Sequence, residues 1–349
     1  MGTKRILVYT ENYLPSIGGL ENNTLLLCES LVLLGHHLTL LTPQKNALNH
    51  AKFNVLESKS LYLFYNQVKN HDLVMINGGV SFKIIIPSIF ALKPFMIIYQ
   101  MATLFKDIRN NSLKTKVLNK LRWVLAKLAK ANIGVSQYSF LELKKAFGRH
   151  NSKLLINPAD PTFSNQDDDH YDDILPKTPF QCLFAGRLIE GKGVSLIVDA
   201  VKEINKYKEV IHLHFVGDGP ERGFLQHQNT KHFIYYHEPV SKEQLKEWLK
   251  KVHLTVIPST SHIEGSPLIM AESLMMGVPV LVSSQPAMVA SVQKSNLIFE
   301  SGDLNDLIKK LNFLVDAASY SNIKKYCKLI SVDYSYTNYI KNLKAIINV

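Results

Sequence analysis

Short runs rich in β-branched and aromatic residues alternate with helical patterns along almost the whole chain, and they do so in two halves. In the first half RILVY, LTLLT, LVMIN, FMIIY, NIGV and KLLIN predict strands, separated by helical stretches such as 20–34. In the second, FQCLFA, IHLHFVG, FIYYH, LTVIP and PVLVS repeat the scheme, with helices near 193–205, 241–251 and 267–276. Such alternation makes parallel sheets covered by helices on both faces. Between the halves, PADPTFSNQDDDHYDDILPKTPF is acidic, flanked by prolines and poor in apolar periodicity, which predicts a linker over 161–179. The expectation is an α/β chain with two doubly wound, Rossmann-like domains, 1–160 and 180–330, facing each other across a cleft. A C-terminal helix within 331–349 is expected to pack back on the first domain. Open sheets of this kind take ligands beyond the carboxyl ends of their strands.

One stretch in the second half carries a chemical anomaly. HIEGSPLIMAESLMMGVPVLVSS, residues 262–284, sets Glu264 and Glu272 eight positions apart, the second amid an apolar run. Ser266 suits the N-cap of a helix, Pro267 its first position, and Gly277 with Pro279 its stop. A helix apolar on nearly all sides is buried, and so is Glu272 with it. A carboxylate stripped of water costs several kcal/mol unless it is paired or hydrogen-bonded. Glu272 therefore needs either a neighbouring lysine or a ligand that donates hydrogen bonds, and Glu264 precedes a helix start whose free amides suit a phosphate.

Glycines occur where strands should end. Gly18 and Gly19, in NYLPSIGGLENN, follow the first strand and open a helix, which allows close backbone approach to an anion or makes an ordinary turn. FAGRLIEGKGVSL is more informative: Gly186 ends a strand, Arg187 and Lys192 lie five apart on a glycine-containing loop, and Gly193 leads into a helix. Two cations above helix amides form a diphosphate clamp, Arg binding an oxygen pair and Lys acting as a point charge. The alternative is a surface loop with ordinary charges.

Composition narrows the partners. The 349 residues exceed one ordinary core, and 46% hydrophobic with 20% charged residues is ordinary for a globular protein. The apolar part of MGTKRILVYT is too short for a signal peptide, and the apolar region 84–99 is broken by Pro87, Lys93 and Pro94, so no membrane span is expected. Cys28, Cys182 and Cys327 form no CxxC pair, which points to reduced thiols in the cytoplasm. The net charge of +11 calls for an acidic partner, and residues 110–132 predict an amphipathic helix with Lys114, Lys116, Lys120, Arg122, Lys127 and Lys130 around an apolar set. That helix suits an anionic membrane surface or simple solvation; no nucleic-acid reading motif accompanies the charge.

Read in order, YLPSIGGLENN, VSQYSFLEL, LLINPAD, GRLIEGKGVSLI, FVGDGPE, PVSKEQL, the E-x7-E element EGSPLIMAE, SLMMGVPVLVS and IFESGDLNDLIKKL resemble the retaining GT-B glycosyltransferases of family four. This group, glycosyl transferases group 1, includes many bacterial cell-envelope sugar transferases, and the resemblance runs essentially end to end. It implies that Glu272 accepts hydrogen bonds from a ribose and that Glu264 lies near the transferred sugar. It places Gly265, Ser266, Pro267 and Leu268 near the diphosphate, beside Gly186. Arg187 and Lys192 match the pair that stabilises the departing diphosphate, and Gly18 and Gly19 match a loop that closes over it. Two positions depart from the pattern: Gln100 stands where many members carry a His that contacts the sugar, and Glu238 stands where Gly is frequent near the base.

The implied activity is retaining transfer of a hexosyl or N-acetylhexosaminyl group from a nucleotide sugar, UDP favoured over GDP, with neither a metal nor another cofactor. The implied acceptor is a glycan, specifically a lipid-linked precursor of lipopolysaccharide or capsule, met by a cytoplasmic protein peripheral on the inner face of the membrane. The competing reading is an inactive GT-B protein that binds a partner enzyme, for which Gln100 is the argument.

Overall fold

A computed structural model of the chain describes residues 2–16, 18–100, 112–164, 179–228 and 232–348. It divides into two compact units, one of Met1–Asn157 with Ile340–Val349 and one of Pro158–Tyr339. Most of the expected linker, 165–178 with its acidic run, lies outside the described residues. Its start, Pro161–Phe163, is a 3-10 turn that buries Phe163 completely.

In the first unit the strands are β1 (Arg5–Thr10), β2 (His37–Thr42), β3 (Asn54–Glu57), β4 (Leu73–Asn77), β5 (Phe95–Tyr99), β6 (Ala131–Gly134) and β7 (Ser152–Leu154). Among the described residues they form one sheet in the order β3-β2-β1-β4-β5-β6-β7, every pair parallel. β4 and β5 are buried along their full length, as continuous apolar runs must be in a sheet covered on both faces. Five helices follow the chain between these strands: α1 (Gly19–Leu33), α2 (Leu61–Lys69), α3 (Phe82–Phe90), α4 (Leu113–Lys127) and α5 (Gln137–Phe147). Residues 340–349 complete the unit; Leu343, Ile346 and Ile347 are buried, and Lys4 Nζ donates to the Ile347 carbonyl at 2.8 Å.

The second unit repeats the plan with β8 (Phe180–Ala185), β9 (Ile211–Val216), β10 (Ile234–His237), β11 (Leu254–Ile257), β12 (Val280–Ser283) and β13 (Ile298–Phe299). Their order is β10-β9-β8-β11-β12-β13, again all parallel. The helices are α6 (Val194–Ile204), α7 (Arg222–Gln228), α8 (Lys242–Leu249), α9 (Leu268–Met275), α10 (Pro286–Val292), α11 (Leu304–Val315), α12 (Ala317–Ser331) and α13 (Tyr336–Ile347), the last of which ends in the first unit. Two parallel sheets of this build give the α/β, doubly wound architecture expected from the alternation. The three cysteines are free and buried. Burial pushes their thiols up, so they stay protonated and unreactive.

Each sheet has one place where strand order reverses: between β1 and β4 in the first unit, and between β8 and β11 in the second. Two neighbouring strands whose following helices run to opposite sides leave a crevice at their carboxyl ends.

Candidate functional site

In the second unit the predicted residues gather at that crevice. The loop after β8 carries Gly186, Arg187 and Lys192, and the loop after β11 carries Glu264 and Ser266. The two loops are joined. The Gly191 carbonyl accepts from the amides of Thr260 at 2.7 Å and His262 at 3.2 Å. Gly193, left-handed at φ 76°, caps α6 so close to β11 that a Cβ there would stand 1.9 Å from the Pro258 carbonyl oxygen. No side chain fits that space, and L residues avoid that backbone region, so a glycine is required where the loop turns into α6.

Lys192 and Glu264 meet directly: Nζ lies 2.5 Å from Oε1, with side chains 16% and 7% exposed. Ser259 Oγ donates to the same carboxylate oxygen at 2.6 Å. A largely dry ion pair stands only with added hydrogen bonds, and Ser259 supplies one. Gln285, just before α10, fixes the rest of the loop: its Oε1 accepts from the Glu264 amide at 2.9 Å, and its Nε2 donates to the carbonyls of His262 at 2.8 Å and Ser259 at 3.1 Å. Neither Ser259 nor Gln285 stood out in the sequence: Ser259 acts on a carboxylate that only the folded loop brings to it, and Gln285 on backbone groups 21 to 26 residues away.

α9 starts at Leu268, one residue later than expected. Pro267 is the N-cap, with extended ψ, and no side chain caps the helix. Ser266 is thus not the cap, and Pro267 brings no N–H to an anion site. The amides of Gly265, Ser266, Leu268 and Ile269 have no acceptor among the described residues. Free donors at a helix start suit an anion.

Glu272 is buried, 8% exposed, between buried Ala271 and Ser273. Desolvation lifts its carboxyl from the ordinary 4.5 to about 7; Lys242 pulls the other way and Asp160 adds to the rise. Lys242 Nζ, however, is 2.5 Å from Asp160 Oδ2. The nearby lysine is engaged by another carboxylate, and among the described residues the Glu272 carboxyl has neither ion pair nor hydrogen bond. α8 holds Lys242 in place with a capping box: Ser241 Oγ accepts from the Gln244 amide at 3.2 Å and Gln244 Oε1 from the Ser241 amide at 2.9 Å.

Arg187 is exposed at the carboxyl edge of β8, with no ion pair among the described residues. Glu238 after β10 is paired with Arg222 at 2.5 Å. In the first unit, Gly18 is the extended N-cap of α1 and Gly19 its first residue. A Cβ on Gly18 would lie 2.4 Å from Glu21 Oε2, so a carboxylate already faces that helix start and opposes an anion there.

Gln100, directly after β5, is held from both ends: Nε2 donates to Asn77 Oδ1 at 2.8 Å and Oε1 accepts from Asn157 Nδ2 at 2.9 Å. Asn77 Nδ2 continues the chain to Thr24 Oγ1 at 2.9 Å. Asn77 and Asn157 are buried, and spacing alone did not reveal them. Gln100→Ala strands both amides, so the variant is expected to lose about 1–3 kcal/mol in a denaturant titration. Unchanged stability would show that the relay is replaceable by water.

Known proteins share the sequence pattern of the second unit and the fold of the chain. Residues 179–317 match the family model described as glycosyl transferases group 1. Protein CapJ of Staphylococcus aureus is 27% identical over 173 residues, a match spanning 48% of this chain and 43% of that protein. The crystal structure of Anabaena Alr3699/HepE in complex with UDP superposes with a TM-score of 0.79 at 15% identity, over 99% of both chains. The apo lipopolysaccharide outer core galactosyltransferase WaaB superposes at 0.71 and 14% identity, over 99% of both chains. Residues 179–317 are thus similar to the glycosyl transferases group 1, and the two parallel sheets of the chain have the GT-B fold.

Proposed function

We propose that the chain moves a hexosyl or N-acetylhexosaminyl group from a nucleotide-diphosphate sugar to a glycan acceptor, with retention at the anomeric carbon. The observation that carries this reading is Glu272, a buried carboxylate without a protein partner in the segment that matches the family. Paired ribose hydroxyls supply the hydrogen bonds it lacks. The unpaired amides of Gly265, Ser266 and Leu268 receive the diphosphate, and Arg187 with Lys192 neutralises charge as the bond from the anomeric carbon to the diphosphate oxygen breaks. The acceptor hydroxyl bonds to the same face of that carbon through an oxocarbenium-like state and yields its proton to the departing oxygen. Arg187 and Lys192 together do the work a metal would do, so metal independence is part of the proposal. The resemblance also implies Gly18, Gly19 and Gln100 of the first unit, but Glu21 opposes an anion beside Gly18 and Gln100 is engaged at both ends, so the reading rests on the second unit.

UDP is the favoured nucleotide because Alr3699/HepE was solved with UDP and with UDP-glucose. The lipopolysaccharide galactosyltransferase WaaB favours an envelope glycan as acceptor; its lipid-linked form, met at the inner face of the membrane, is part of the proposal. A thermal-shift screen tests the donor. A bound nucleotide at about a hundred times its dissociation constant adds about 2.7 kcal/mol, so UDP-sugars are expected to raise Tm, GDP-sugars to leave it unchanged, and EDTA to change neither Tm nor turnover. Stabilisation by no nucleotide sugar overturns the reading, and metal-reversible loss of turnover with EDTA overturns the metal-independent scheme.

A further inference from the structure

A cavity of about 510 Å³ opens at the amino ends of the first sheet, the edge away from the carboxyl ends where such sheets take their substrates. Its wall holds Arg5, which starts β1, His36 and His37, which lead into β2, His50 and Lys52 from the turn before β3, and His71, which precedes β4. Among the described residues that line it, none is Asp or Glu. Four imidazoles and two permanent cations thus converge on one hollow.

These groups are held in place. Arg5 Nη2 donates to Asp72 Oδ1 at 3.0 Å and Nε to Oδ2 at 3.5 Å, which fixes the guanidinium and leaves the Nη1 hydrogens without an acceptor among the described residues. A bridge between His50 and Phe53 closes the turn 50–53, their rings stack at 4.2 Å, and His50 Nδ1 accepts from the Lys52 amide at 3.3 Å. The Lys52 ammonium has no partner among the described residues. Helix ends explain part of the set, because His36 and His71 follow the last turns of α1 and α2, where carbonyl ends favour positive charge. His71 Nδ1 donates to the Gln67 carbonyl at 2.5 Å. That bond leaves Nε2 with a lone pair and no partner among the described residues, in a side chain of a residue only 7% exposed. His36 is the opposite case: Nδ1 accepts from the Lys4 amide at 3.3 Å, so Nε2 carries the proton and finds no acceptor.

We infer that this cavity binds a small phosphorylated molecule by its phosphate group. An ionised phosphate offers acceptors, and the hollow answers with donors from Arg5, His36 and Lys52 and with a His71 nitrogen that becomes a donor on taking up a proton. Small organic ligands fill cavities of about 300–1,000 Å³, so there is room for more than a bare ion. A metal is the poorer occupant: Arg5 and Lys52 repel it, and no side-chain group suited to a metal occurs among the described residues. The six residues of β1, about 20 Å, separate the cavity from that strand's carboxyl end, and the donor groups proposed above belong to the other unit. The site therefore does not rest on the transfer reading. Burial holds the His71 imidazole below its ordinary range, with Arg5 and Lys93 acting in the same sense and the Gln67 carbonyl and Asp72 against it; burial and Lys4 do the same to His36. Both rings are uncharged at neutral pH without ligand, and an anion draws a proton onto them as it binds.

The test is isothermal titration calorimetry of the full chain with sulfate, inorganic phosphate and glucose 6-phosphate. Sulfate keeps its charge between pH 6 and pH 8, whereas a phosphate monoester titrates near pH 6, so sulfate isolates protonation of the protein. It is expected to bind more tightly at pH 6 than at pH 8, by up to about tenfold, and His71→Gln reduces that difference. Glucose 6-phosphate is expected to bind more tightly than inorganic phosphate. His36→Gln with Lys52→Gln weakens all three at least about tenfold, with an unchanged melting temperature to confirm the fold, whereas Arg187→Ala in the second unit leaves this binding as it is. Binding of glucose 6-phosphate no tighter than that of inorganic phosphate overturns the organic ligand. Absence of binding, or binding that Arg187→Ala abolishes and the cavity variant keeps, overturns the site.

Discussion

Arg187→Ala is expected to lower kcat about a hundred- to a thousandfold and to leave the melting temperature where it is, because the guanidinium is exposed and has no protein partner among the described residues. Lys192→Ala is expected to lower kcat as much, but not so cleanly. Removing Nζ leaves Glu264, 7% exposed on its side chain, with Ser259 as its remaining side-chain donor. An uncompensated buried carboxylate costs roughly 2–4 kcal/mol, so this variant also unfolds at lower denaturant. Lys192→Met with Glu264→Gln removes both charges and recovers stability without recovering turnover. Steady-state kinetics at saturating donor, alongside denaturant titrations, separate the two effects. Near-normal kcat in Arg187→Ala removes the clamp from the mechanism, and a Lys192→Ala protein as stable as wild type shows that the ion pair is not what holds the loop.

The second large effect belongs to Glu272, and its sign follows from the raised carboxyl. Between the ordinary 4.5 and about 7 the folded protein holds a proton that the unfolded chain has released. The stabilisation is therefore complete below about 4.5, declines as pH rises to about 7 and is gone above it; its full size is on the order of 3 kcal/mol. Glu272→Gln cannot ionise, so without donor it is expected to exceed wild type in stability at pH 8 by up to that amount and to converge with it near pH 4.5. Ribose hydroxyls stabilise the ionised form, so wild type binds donor more weakly at pH 6 than at pH 8, by up to about tenfold. The variant binds donor weakly at both, because an amide accepts less strongly and presents N–H where the hydroxyl hydrogens point. Calorimetry of both proteins with and without donor at the two pH values decides. A Gln variant that is less stable at pH 8 and unimpaired in donor binding would make Glu272 a partner of the protein, not of the nucleotide.

The alternation of strand and helix was legible because the central strands β1, β4 and β5 carry apolar runs buried on both faces, and β8 and β9 are interrupted only by half-buried Gln181, His212 and His214. Edges were not. β3 has no fully buried residue, and β13 is two residues long, so neither makes a run that stands out from a loop. For the candidate site, single-residue anomalies were visible: an acid in an apolar helix, and two cations across a glycine loop. Pairings between distant positions were not. Lys192 and Glu264 are 72 residues apart, and Asn77, Gln100 and Asn157 span three strand ends. Periodicity showed that α4 has two faces. It did not show that Leu113, Val117, Leu121, Val124 and Leu128 stand exposed, because an apolar stripe reads the same whether it is buried or not.

The first unit is assembled from residues 1–157 and 340–349, with the whole second unit encoded between them. On a ribosome the early sheet leaves the exit tunnel long before the segment that carries Leu343, Ile346 and Ile347 has been made. The middle of the chain, by contrast, is one continuous stretch that needs no later segment to complete it. The half made first is therefore the half closed last: the Lys4 ammonium gains its carbonyl, and the apolar seat of Leu343, Ile346 and Ile347 fills, only once that segment has left the tunnel.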